Sequence, residues 1–224
     1  VGVLGVIGLG MLLLVRNRNV YRSDESKSAW QDINDGMNFV RTDPMIRVLM
    51  SLNLLALFAG FIIPLIPVYA ADVFEVGGEG FGVMMALFGL GGAAGTMVLV
   101  VGGDKSRKGP LMVTSGIIFG ACMIGFAFSR EYYLSLALLA VMGAVGLAYV
   151  ITISVLVQTY TPDEMRGRVM SLFGMTMQLF ALGFLLSGVL AEATSNELAL
   201  VVGGIGVAIP PIFAFATSSE LRRA

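Results

Sequence analysis

YYLSLALLAVMGAVGLAYVITISVLVQTYTPDEMRGRVMS, Tyr132 to Ser171, opens with an apolar run of 27 residues, 132–158, without a formal charge and then crowds four charges into the six positions 163–168. As a helix, an uncharged run of that length reaches ~40 Å, more than the ~30 Å of hydrocarbon in a bilayer. A soluble helix would need charge on its outer face, and this run has none to place there. Local physics explains most of the knot that follows it. Thr161 is expected to cap the next helix, Pro162 to open it at N1 and Glu164 to complete a capping box at N3. Asp163 and Glu164 suit the positive end of the helix dipole. Arg166 and Arg168 hold that end on the cytoplasmic side. Gly167, between the arginines, is not explained this way. Inside a helix it costs up to ~1 kcal/mol, and the close approach of another element would justify it.

Working outward, apolar runs recur at 48–71, 80–103, 110–128, 132–158, 166–191 and 197–217. Each is long enough to cross a bilayer, and none carries a charge at its middle. The breaks between them are short and hold the charges and turn formers. Alternating those breaks between two sides puts 13 Lys and Arg on one side and only Arg130 on the other. By the positive-inside rule the first side, with the C-terminus, is cytoplasmic.

Composition agrees. Of 224 residues 57% are hydrophobic and 13% charged, about half the charged fraction of a soluble domain. Mean hydropathy is +0.87. With no His and one Cys, Cys122, the chain lacks ligands for zinc or haem, a disulfide pair, and His-based acid–base chemistry. No charged groups converge inside a span, as a membrane enzyme would need. An enzyme is therefore not expected, nor is a cofactor, a metal or a nucleic-acid partner.

Residues 1–15 are apolar but reach only ~22 Å, and they are read as the end of a truncated transmembrane helix. Residues 16–47 form a cytoplasmic loop. Within it Trp30, Ile33, Met37 and Val40 give 28–47 an amphipathic helix along the interface, ended by Asp43-Pro44. Residues 48–217 make a six-helix bundle, and 218–224 a cytoplasmic tail. Small-residue pairs predict close helix contacts at Gly91/Gly95, Gly116/Gly120 and Gly183/Ser187. Pro64, Pro67 and Pro210-Pro211 predict kinks.

Two motifs, GMNFVRTDPMIRVLM (Gly36–Met50) and PDEMRGRVMS (Pro162–Ser171), together with the six-span layout, resemble the major facilitator superfamily of transporters. The nearest branch is that of bacterial drug and siderophore exporters. The resemblance implies an all-α membrane protein: the C-terminal bundle of a twelve-helix fold in the inner (cytoplasmic) membrane, with a six-helix N-terminal half as its partner. It implies secondary active export of amphipathic small molecules by alternating access. It also implies a cytoplasmic gate. Asp104, Lys105, Arg107 and Lys108 match the charge pattern of the superfamily's conserved loop, although a Gly of that loop is displaced. Asp163, Glu164, Arg166 and Arg168 would face the corresponding loop of the other half.

Polar residues inside the spans are few. Asn53, Tyr149, Thr152, Met175 and Gln178 are the candidates for the substrate cavity, with Tyr149 and Thr152 on one helix face and Met175 and Gln178 on another. No span of this half carries a midplane carboxylate, so a proton-coupling acid would lie in the other half. The competing reading is a half-sized accessory subunit or homodimer that transports nothing alone.

Overall fold

The computed structural model describes residues 29–102 and 108–217. The expected helix end at 1–15, the tail, and Asp104, Lys105 and Arg107 lie outside the described residues. Two compact units divide after Asp32, and only the first turn of one helix is described for the first of them. That helix is α1, Ala29–Thr42. The second unit continues it through α2 (Pro44–Asn53), α3 (Ala56–Ala59), α4 (Ile66–Val68), a π turn (Tyr69–Val73) and α5 (Gly77–Gly102). It then holds α6 (Lys108–Phe128), α7 (Tyr132–Tyr160), α8 (Asp163–Met177), α9 (Leu179–Ala193) and α10 (Asn196–Thr217). The described residues contain no strand.

Five segments are long and apolar enough to cross a membrane, with α8 and α9 counted as one, Asp163–Ala193. Their ends fall within a few residues of the expected runs. Hydrocarbon thickness sets the length of each, and the charged turns set its stops.

The first expected span, 48–71, differs. It is broken into α2, α3, α4 and the π turn rather than merely kinked. Pro64 and Pro67 cannot donate the backbone bonds that would carry a helix through Gly60–Leu65. At Leu54 and Leu55 the chain tightens to i→i+3 bonds, onto Ser51 and Leu52 carbonyls, both at 3.2 Å. Before the span, α1 turns sharply into α2–α3, at 108°. Asp43 makes the corner, accepting from Ile46 N at 2.8 Å with Pro44 in the first turn.

Small residues mark the helix contacts, as expected. A Cβ on Gly91 or Gly95 would overlap the backbone of Ala140 or Ala144, so α5 lies directly on α7. Gly116 and Gly120 meet α10 at Pro211, Gly204 and Ala208. With lipid as apolar as a leucine side chain, such backbone proximity supplies the packing that holds helices together.

Two apolar clusters fill the bundle. One gathers Ile46, Leu49, Leu52, Met112, Ile153 and Leu172. The other gathers Phe61, Ile66, Met123, Met142 and Leu200 around Tyr69, whose hydroxyl donates to Ala127 O at 2.7 Å. Between them the sequence inserts its rare polar groups.

Candidate functional site

Two broken spans face each other at mid-length. Asn53 closes α2 just before the first break, and Thr176 lies just before the α8–α9 break at Gln178. Asn53 Nδ2 donates to Phe173 O at 3.3 Å and also to Thr176 Oγ1. Thr176 Oγ1 donates to Phe173 O at 2.8 Å, which leaves its lone pairs for Asn53. Tyr149 of α7 donates to Leu52 O at 3.0 Å. Both carbonyls lie within a few residues of a helix break, where backbone groups need outside partners. Farther along, Gly183 meets the Leu57 carbonyl and Gly60, and Ser187 Oγ donates to Phe61 O at 2.9 Å. The expected Gly183/Ser187 pair is thus the seam between the two broken spans.

Beside this seam lies a cavity of about 300 Å³. Its polar side chains are Asn53, Ser115 and Tyr149. Phe88, Phe119 and Phe180 are its aromatic walls, and no charged residue among those described lines it. Asn53 is 1% exposed, and its Oδ1 has no hydrogen-bond partner among the described residues. An orphaned buried acceptor costs about 1–3 kcal/mol.

The five cavity candidates separate. Asn53 and Tyr149 line the cavity. Thr152 is buried but is not among the lining residues. Met175, 57% exposed, and Gln178 lie on the outer face of α8–α9. Ser115 and the three aromatics join the site without any mark in the sequence. A phenylalanine in a membrane helix reads the same whether it faces lipid or a cavity.

That outer face of α8–α9, turned away from the seam, is bare among the described residues. Gly167, Ser171, Gly174, Ala181 and Gly188 recur at i, i+4, i+7, i+14 and i+21, all exposed. A Cβ on Gly167, Gly174 or Gly188 would meet nothing within 4 Å.

Among the gate candidates, Lys108 opens α6. Asp163 pairs with Arg166 at 2.6 Å, and Glu164 is exposed. Arg168 pairs with Asp35 of α1 at 3.4 Å, where Gly36 packs on Arg168 and Leu172. The capping box expected at Thr161 is not formed. Pro162, at φ −55° and ψ 150°, is the last non-helical residue, so α8 starts at Asp163. Thr161 instead closes α7, its Oγ1 donating to Val157 O at 2.6 Å.

Residues 5–222 match the family of transmembrane secretion effectors. Over 177 residues the chain is 31% identical to the multidrug efflux pump Tap of Mycolicibacterium fortuitum. That alignment covers 77% of this chain and 42% of the pump, so the chain spans less than half the length of this relative. No solved structure matches.

Proposed function

The chain belongs to the transmembrane secretion effector family of the major facilitator superfamily, and on that premise we propose that it is the C-terminal half of a secondary exporter of amphipathic small molecules working by alternating access. The observation that carries this reading is the uncharged, largely apolar cavity at Asn53, Ser115 and Tyr149. Its lining suits cargo with much apolar surface and few polar groups, and offers no counter-charge to a sugar phosphate or a small anion. The 31% identity to a multidrug efflux pump points the same way.

The bare face of α8–α9 is where the preceding six-helix half docks in this reading. Three glycines, each costing about 1 kcal/mol in a helix, contact nothing in the described chain. A neighbouring backbone at close range gives them a purpose. Met175 and Gln178 then border the passage between the halves, and the cavity is the recess that receives cargo. The Asp163–Arg168 turn and Lys108 belong to the cytoplasmic gate, with the C-terminus on that side.

The test is efflux of a fluorescent amphipathic dye by the full-length protein in proteoliposomes. Ala59→Phe fills the recess and is expected to abolish efflux while the protein still folds. Unchanged efflux would rule the cavity out as the cargo site.

A further inference from the structure

The corner where α1 meets the first span carries charge that the bundle leaves unanswered. α1 stands at 108° to α2–α3, so it runs along the membrane surface where the span crosses it. The apolar run starts at Val48, directly after Arg47, which sets the corner at headgroup depth. One face of α1 packs on the bundle. Gly36 lies against Arg168 and Leu172, Val40 is buried, and Asp35 pairs with Arg168 at 3.4 Å. Asn34, Met37, Asn38 and Arg41 make up the other face, all exposed. Asp43 turns its carboxylate to Ile46 N at 2.8 Å. Arg47 donates to the Arg41 carbonyl at 3.4 Å, and neither arginine has an ion pair among the described residues. Their remaining N–H donors are open, and Met37 sits one turn before Arg41 on the same face.

We propose that this corner docks on anionic phospholipid, with Arg41 and Arg47 holding headgroup phosphates and Met37 reaching the acyl chains. A guanidinium fork matches two phosphate oxygens at once through charge-assisted bonds. A net-negative lipid is preferred on charge, because the phosphate of a choline lipid already has a cation beside it. Met37, apolar among polar neighbours and one turn from Arg41, fits a helix lying in the interface, with its apolar side chain in lipid and its cation at the phosphates. A small soluble anion would answer the arginines but leave Met37 in water. The acidic groups of residues 33–47 do not compete for the arginines. Asp35 is engaged on Arg168 and Asp43 on the first turn of α2. Lipid held here does not depend on what the protein moves.

The test places a photoreactive amino acid at Met37 of the full-length protein, in nanodiscs of phosphatidylglycerol and phosphatidylcholine with matched acyl chains. After irradiation, mass spectrometry counts each lipid captured. Relative to its share of the bilayer, phosphatidylglycerol is expected to be captured in excess, each arginine contributing about fivefold at an anionic surface. Arg41→Gln together with Arg47→Gln should return capture to the bulk ratio. Both sites are exposed, so folding should survive. If the double variant does not fold, either single variant carries the test, with the excess expected to fall about fivefold. Capture in the bulk ratio by the arginine-bearing protein overturns the proposal. So does an excess that survives the loss of both arginines. Capture of protein alone, from the rest of the chain or from a second copy, overturns it as well, since the corner would then be covered by protein and not by lipid.

Discussion

The two faces of the α8–α9 span use the same small residues to different ends. On the inner face Gly183 touches the backbone of Leu57 and Gly60, and Ser187 bonds the Phe61 carbonyl. On the outer face a Cβ on Gly167, Gly174 or Gly188 would touch nothing among the described residues. A glycine that lets two backbones meet is explained by the contact it makes. A glycine that weakens a helix and contacts nothing points to something beyond the described chain. The inner face belongs to the fold of this bundle, and on the proposed reading the outer face belongs to the contact with the other half.

Substitutions on the two faces should therefore fail in different ways. The largest effect is expected at the inner seam. Gly183→Leu drives a side chain into the Leu57 carbonyl and should cost at least about 3 kcal/mol, read as loss of folded protein in a detergent melt. Gly174→Leu should not lower that melt, and helix propensity should raise stability by up to about 1 kcal/mol. It should nevertheless cut dye efflux more than about fivefold, the low end of coupling between two states. If both variants only unfold, or both only lose efflux, the distinction between the faces is wrong.

Smaller effects sharpen the inner side of the comparison. Tyr149→Phe removes the donor to the Leu52 carbonyl at the helix break and should cost about 1 kcal/mol, seen as a lower Tm. Asp163→Asn breaks an exposed pair and should change stability by less than about 1 kcal/mol. Arg168→Glu, which opposes Asp35, should change efflux far more than the melt if this turn gates. Equal loss of both would assign the turn to folding alone.

Much of this was legible in the sequence. The long spans were, because bilayer thickness and turn charges leave little freedom over where a helix starts and stops. The helix contacts at Gly91/Gly95, Gly116/Gly120 and Gly183/Ser187 were too, since small residues four apart are what close packing in lipid requires. The breaks were only half legible. Pro64 and Pro67 announce trouble, but nothing local marks Leu54-Leu55 or Gln178. Those breaks go with the Asn53–Thr176 bond, across 123 residues of chain, and the bond from Tyr149 to the Leu52 carbonyl, across 97. Thr161 misleads because a hydroxyl before a proline caps either neighbouring helix, and here it bonds backward. Asn53 and Tyr149 stood out as polar groups in apolar runs, whereas Thr152, equally conspicuous, is simply buried.

The central claim is that the outer face of α8–α9 meets the other half of a transporter. A photoreactive amino acid placed at Met175, 57% exposed on that face, tests it directly in the full-length protein. After irradiation in the membrane, mass spectrometry identifies what was captured. The account predicts intramolecular crosslinks to helices that precede Val1. Capture of lipid alone, or of a second copy of this segment, would contradict it.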